Sequence, residues 1–247
     1  MAPTRALAPD GVRSPAYAGG MDFPLPPAAA RAALDDLART DPDLARIEAE
    51  AGPLPWRVRA AGFSGLLNAI VGQQISNQAA ASIWRRCCLL PDGLTPEGFL
   101  ALDDDQLRGA GLSRPKIAHA RAVASAFCSG QLATHTLAAM SDEDAVRSLS
   151  AVRGLGVWSA EIYLLFALQR PDVFPAGDLA LQAAAAHLKG LSARPSATEL
   201  RRIAQAWQPH RALAARLLWH WWRHVTGRPS MDDPPQPAPL ATPPSRC

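Results

Sequence analysis

Apolar positions recur along this chain with the 3.6-residue period of amphipathic helices, and no stretch of useful length alternates in the manner of a strand. The segment 28–37 is alanine-rich and of high helix propensity. Over 63–88 the spacing of Leu66, Leu67, Ile70, Ile75, Ala79 and Ile83 predicts one long helix. A short helix is expected over 103–109, ending at a glycine, and another over 115–127, with Pro115 in the favoured first turn. Ser141 followed by Asp144 resembles a capping box with Asp in place of Glu or Gln, which would start a helix over 142–150. Further helices are expected over 157–169, 178–188, 196–206 and 209–225. The fold class is therefore all-α.

The chain has 247 residues, of which 48% are hydrophobic, enough for one or two domains with a sizeable core. Segment 1–22 lacks the apolar run of a secretory signal, and 229–247 holds seven prolines in 19 residues; both ends are expected to be disordered around a helical core at 23–228. No run of 18 apolar residues suggests a membrane span. The net charge of +3 is unevenly spread: residues 53–229 carry 19 basic and 12 acidic side chains, while 1–52 carry 5 and 8. A basic core suits a phosphate-bearing partner without requiring one. The basic residues are almost all arginine; Lys116 and Lys189 are the two lysines. Cys87, Cys88, Cys128 and Cys247 match neither a zinc site nor a disulfide framework, which fits a reduced, cytoplasmic protein in the company of the nucleoid. His220 and His224 stand four apart on one helix, but no Glu completes a metal motif, so no metal centre is expected.

The densest chemistry lies in Leu149-Ser150-Ala151-Val152-Arg153-Gly154-Leu155-Gly156-Val157-Trp158-Ser159-Ala160, followed by an apolar helix and then by Phe174-Pro175-Ala176-Gly177-Asp178. Two glycines one residue apart permit a tight turn and a close main-chain approach. The helix after them offers free N–H groups to an anion. Asp178 lies twenty residues beyond Trp158, room for one helix and a return loop, so its carboxylate can come back beside the hairpin. As a helix N-cap it would be held in its charged form. Taken alone, the glycine pair is weak evidence, and a tight turn between packed helices is its simpler reading.

These segments, with Val71-Gly72-Gln73-Gln74-Ile75-Ser76 and Trp207-Gln208-Pro209-His210-Arg211 leading to Trp219, occur in the order seen in the helix-hairpin-helix DNA glycosylase superfamily. The chain resembles its DNA-3-methyladenine glycosylase II branch across roughly 53–227, with the hairpin motif at about 149–169. The resemblance implies a two-lobed helical core with the active site between the lobes. About 50 residues precede that core, so the N-terminal α/β domain that some relatives carry is expected to be missing or reduced to one or two helices. It also implies a monomeric enzyme acting on double-stranded DNA. Alkylated purines (3-methyladenine, 7-methylguanine) would be flipped from the stack and released by hydrolysis of the N-glycosidic bond.

Residue by residue, the resemblance makes Asp178 the catalytic carboxylate and Trp158, Tyr163 and Trp219 the base pocket. Gly154, Gly156, Ser159, Gln73 and Gln74 become DNA-binding residues, with Gln74 filling the gap left by the flipped base; Arg153, where relatives often have proline, adds a cation beside the phosphate site, and Lys116 is expected to reach a phosphate at a second helix N-terminus. Gly156 is expected at positive φ. Trp158 stands where bifunctional relatives place a Schiff-base lysine, so strand cleavage is not expected. No cysteine lies between 178 and 222, so the iron–sulfur cluster of some relatives is not expected either. No cofactor is required; in the resembled family the hairpin carbonyls hold a monovalent cation, Na or K. Aromatic walls attract a cationic purine by ~0.5–2 kcal/mol, which favours charged over neutral lesions. Glu161 is the one acid that could serve a neutral base. The alternatives are a non-catalytic helix-hairpin-helix DNA-binding protein, a helical partner-binding scaffold, and a glycosylase for hypoxanthine, ethenoadenine or uracil.

Overall fold

The computed structural model describes residues 26–227; the two end segments expected to be disordered, 1–22 and 229–247, lie outside the described residues. Every regular element among the described residues is helical. No helix there is long and apolar enough to cross a membrane.

Two hydrophobic cores divide the chain. The first is built from α4 to α11, the second from α1 to α3 and α12 to α14. The opening helices are α1 (Ala28–Thr40), α2 (Pro42–Ala45) and α3 (Ile47–Ala51). Asp41 caps α2 by accepting from the Asp43 and Leu44 amides. The first core follows with α4 (Phe63–Gly72), α5 (Asn77–Cys87), α6 (Pro96–Ala101), α7 (Asp104–Gly109), α8 (Arg114–Cys128), α9 (Thr134–Ala139), α10 (Asp142–Ser150) and α11 (Val157–Phe166). The chain returns to the second core in α12 (Leu179–Leu188), α13 (Ala197–Ile203), a 3-10 turn (Ala204–Trp207) and α14 (Arg211–Thr226).

Helix α11 is the seam. Ala160, Tyr163 and Leu164 belong to the first core, while Leu165 belongs to the second. A helix apolar on several faces is driven between layers rather than onto a surface, and this placement sets Trp158 at the mouth of the groove between the lobes.

Several starts follow local capping chemistry. Asp103 with Gln106 and Ser196 with Glu199 form reciprocal capping boxes. At α10 Ser141 accepts from the Asp144 amide, but the shorter Asp side chain takes the Ser141 hydroxyl at 2.8 Å instead of the backbone N–H. The helix expected over 63–88 is broken. Gln74 has φ 57° and Ser76 caps a new helix by accepting from the Ala79 amide. Ile75 and Ala79, read as core positions, are exposed. A serine cap four residues beyond Gly72 ends the run, although the apolar period continues through it. Other boundaries move less: α11 stops at Phe166, short of the expected 169, and α14 starts at Arg211. The short helices α2, α3, α6 and α9 carry too few apolar repeats to be read from period.

Candidate active site

Asp178 is the N-cap of α12. Its Oδ1 accepts from the amides of Ala180 (2.8 Å) and Leu181 (3.0 Å) and from the Trp219 indole (3.3 Å); its Oδ2 accepts from the Trp158 indole (2.8 Å). Four N–H donors from three helices thus fix one carboxylate. The two backbone donors are the cap that the Gly177-Asp178 sequence predicts. The two indoles come from the N-terminus of α11 and the middle of α14, so the carboxylate also ties the seam helix to the second core. Oδ2 keeps a free lone pair on the side of the groove.

Above the carboxylate lies a cavity of about 270 Å³ walled by both lobes: Ala69, Gly72 and Asn77 on one side, Phe166, Arg216 and Trp219 on the other, with Trp158 and Ile162 between. This is near the lower end of volumes that hold small ligands, roughly 300–1,000 Å³. Phe166 stacks on Trp219, with ring centroids 5.6 Å apart and planes at 30°. The Arg216 guanidinium is sandwiched between Trp56 and Phe166, 4.5 Å from each ring, and donates to the carbonyls of Arg57 (2.6 Å) and Leu165 (3.1 Å). Arg57, Arg59 and Arg223 also line the cavity, as does His220, whose half-buried ring is pushed below the usual imidazole pKa by desolvation. The aromatic wall was legible at Trp158 and Trp219. Phe166 and the arginines were not, because they reach the cavity from segments far apart in the chain.

Tyr163 does not line the cavity. It is 2% exposed in the first core and its hydroxyl accepts from the Gly62 amide at 2.8 Å. Five residues after Trp158 on a helix is most of a turn and a half, so the two side chains point to different faces. The structure therefore removes Tyr163 from the expected base pocket.

The hairpin Val152–Gly156 turns at Gly154, whose φ is +93°. A Cβ there would lie 2.2 Å from His119 Cγ, so only glycine lets α8 pack against the turn. Gly156 is different from expectation: its φ is −93°, and a Cβ there would meet nothing within 4 Å. It is the exposed N-cap of α11, which has no side-chain cap, and Arg153 is exposed beside it. The first turn of α11 thus has no side-chain cap, and it begins at exposed Gly156 and Val157, as an anion site would require.

Of the other expected contact residues, Gln74 is exposed on a second, open depression of about 590 Å³. That depression is also lined by Gln73, Gly156, Trp158, Ser159 and residues 177–180. The Gln73 amide is turned inward, donating to the Gly154 carbonyl and to Ser159 Oγ at 3.0 Å each. Ser159 is 2% exposed. These two side chains brace the loop 73–76 against the hairpin at the edge of the same depression. Lys116 donates to the Val71 carbonyl, and burial lowers its pKa. Glu161 is half-buried near Arg201, with its pKa pushed up to about 7 by desolvation, and it is not part of the cavity wall.

Residues 67–210 match the family described as HhH-GPD superfamily base excision DNA repair protein. The chain is similar to an alkylbase DNA glycosidase-like protein of Schizosaccharomyces pombe, 31% identical over 164 residues, covering 64% of this chain and 77% of the relative. Among solved structures it resembles a 3-methyladenine DNA glycosylase of the same yeast in complex with abasic DNA (TM-score 0.69, 27% identity, 78% of this chain and 95% of that one). It also resembles a DNA-3-methyladenine glycosidase of Bacillus halodurans (TM-score 0.67, 30% identity, 81% and 93%).

Proposed function

The chain belongs to the HhH-GPD superfamily of base excision DNA repair proteins, and from that footing we propose that it hydrolyses the N-glycosidic bond of alkylated purines, 3-methyladenine and 7-methylguanine, in duplex DNA. The observation that carries this reading is the Asp178 carboxylate, held by four N–H donors at the floor of an aromatic cleft beside the hairpin.

The uncapped N-terminus of α11, with Gly156 and Arg153, takes a phosphate of the lesion strand. The base leaves the stack and enters the cavity between Trp158 and the Phe166–Trp219 pair, and a damaged base costs less to extrude. Gln74 faces the gap it leaves. As the C1′–N bond breaks, its electron pair departs with the base and positive charge develops on the sugar next to Asp178. A fixed carboxylate stabilises that charge without reorganising. Water adds its oxygen to C1′ and its proton passes to Asp178 or to solvent. A base alkylated at N3 or N7 is already cationic and leaves neutral, so no strong acid is needed.

Hydrolysis without strand cleavage is part of the proposal. The indole of Trp158 cannot form a Schiff base, Lys116 is bonded to Val71, and Lys189 is paired with Asp41 and Asp43 at 2.8 and 3.2 Å. The hairpin is further proposed to hold Na or K against the phosphate. The carbonyls of Val152 and Gly154 each accept one hydrogen bond, from the Leu155 amide and from Gln73, and each keeps a lone pair for an ion. Bound there, the ion would offset phosphate charge; no other cofactor enters.

A second reading concerns the base. Arg57, Arg59, Arg216 and Arg223 bring guanidinium N–H donors to the cavity wall, and such donors match the acceptor atoms of a neutral lesion such as hypoxanthine or ethenoadenine. The test of function is chromatography of bases released from methylated duplex DNA and from oligonucleotides carrying the neutral lesions. Release of 3-methyladenine supports the first reading. Release of neutral bases alone supports the second, and release of none rejects both.

A further inference from the structure

Seven large hydrophobic side chains are exposed among the described residues: Val58, Ile75, Leu89, Leu100, Val157, Leu179 and Leu191. Exposed apolar residues scattered singly are ordinary, but grouped ones mark contact surfaces. Leu179 lines one opening, and Ile75 and Val157 each adjoin in the chain residues that line it. Ile75 follows Gln74, Val157 stands between Gly156 and Trp158, and Leu179 stands between Asp178 and Ala180. Leu179 and each of those neighbours line the 590 Å³ depression that adjoins the catalytic cleft and shares Trp158, Asp178 and Ala180 with it. The three come from unrelated segments: the break between α4 and α5, the first turn of α11 and the first turn of α12. Leu179 is 63% exposed directly beside the carboxylate.

We propose that Ile75, Val157 and Leu179 form an aliphatic collar that seats the deoxyribose faces of the flipped nucleotide and its neighbours, with Leu179 positioning the reacting sugar over Asp178. The proposal rests on the glycosylase reading and deepens it. Phosphates call for cations and amides, and base edges call for hydrogen bonds; the C–H faces of the sugars are the part of a DNA strand that aliphatic side chains match. The opening already carries the other two classes of partner. The bare α11 terminus and Arg153 suit phosphate, and the Gln74 amide suits a base edge. Closing the collar over the sugar also removes bulk water from around the developing charge, which strengthens its attraction to Asp178. Leu179 touches the sugar but exchanges no proton or electron pair with it, so its role is positioning.

The proposal predicts a signature distinct from that of a phosphate contact. Losing a phosphate contact lowers the slope of log affinity against log salt by about one, whereas losing an apolar sugar contact leaves the slope unchanged. The experiment compares wild type, Leu179→Ala, Val157→Ala and a control, Leu89→Ala, which lies past the other end of α5. These side chains are exposed, so each variant should fold, and circular dichroism checks that it does. Single-turnover release of 3-methyladenine and affinity for abasic-site duplex at several salt concentrations are the readouts. Leu179→Ala is expected to slow release at least tenfold with an unchanged salt slope, Val157→Ala to weaken binding severalfold, and Leu89→Ala to match wild type. If wild type releases base and Leu179→Ala releases it within twofold of that rate, the collar is wrong while the function stands. A lowered salt slope in Leu179→Ala also overturns it. If wild type neither releases base nor prefers abasic DNA, the functional reading fails and takes the collar with it.

Discussion

Replacing Asp178 by Asn separates the catalytic role of the carboxylate from its structural one. All four of its partners are donors, whereas an amide offers one acceptor oxygen and one NH₂. With the oxygen kept on the Ala180 and Leu181 amides, the helix cap survives, since Asn caps about as well as Asp. The NH₂ then faces the Trp158 indole N–H across what was a 2.8 Å hydrogen bond. One partly buried donor is left without an acceptor, costing about 1–2 kcal/mol, which a domain stable by roughly 5–15 kcal/mol survives. The reaction loses more. A unit charge about 4 Å from the forming sugar cation is worth ~4 kcal/mol at an effective dielectric near 20, or about 10³ in rate. The assay is single-turnover release of 3-methyladenine from duplex DNA. Asp178→Asn is expected to be slower by about 10³, with a melting temperature lowered by a few degrees and abasic-DNA affinity within about threefold. Release within tenfold of wild type would mean that Asp178 is not the catalytic group.

The two hairpin glycines should part company. Gly154→Ala combines a strained positive φ with overlap on His119 and should cost about 3 kcal/mol or more in urea unfolding. Gly156→Asp should leave stability unchanged and weaken DNA binding at least tenfold by setting a carboxylate on the phosphate site; equal affinity at matched salt would remove the hairpin from the interface. Borohydride should trap no covalent complex with lesion DNA under conditions that trap a bifunctional relative, and a trapped band would refute hydrolysis without strand cleavage. Glu161, with its pKa raised to about 7, is stabilised in the folded state as the neutral acid. The stability it contributes is complete below about pH 4.5 and is lost as pH rises through about 7. Glu161→Gln should therefore unfold like wild type at pH 4.5 and be more stable by about 2 kcal/mol at pH 8.5, after discounting a shift worth up to ~3 kcal/mol for partial exposure. An equal difference at both pH values would contradict it.

What the chain makes legible is local. The Gly177-Asp178 cap, the Gly154 turn and most helical periods depend on residues within one turn of each other, and they appear where the pattern places them, the run over 63–88 excepted. Most of the misreadings share a cause in contacts between distant segments. Tyr163 belongs to the core because its hydroxyl meets the Gly62 amide across the fold, and Phe166 takes the wall position because α14 brings Trp219 against it. Gln73 reads as a DNA-facing glutamine until the hairpin arrives to accept its amide. The break at Gln74 is hidden because Ile75 keeps the helical period of its neighbours while lying outside the helix. The arginines of the cavity come from 57–59 and from α14, and nothing near either in the chain signals that they converge.

The central claim is that Asp178 stabilises positive charge on the sugar of a nucleotide drawn into the cleft. The most direct measurement compares affinities for duplexes carrying, at one position, a neutral tetrahydrofuran abasic analogue or a cationic pyrrolidine analogue of the same ring, in wild type and Asp178→Asn at one salt concentration. A site complementary to the transition state binds its charged mimic more tightly. Wild type is expected to prefer the cationic ring at least tenfold, and Asp178→Asn to lose that preference while binding the neutral ring as before. Equal affinities in wild type, or a preference that persists without the carboxylate, would contradict the account.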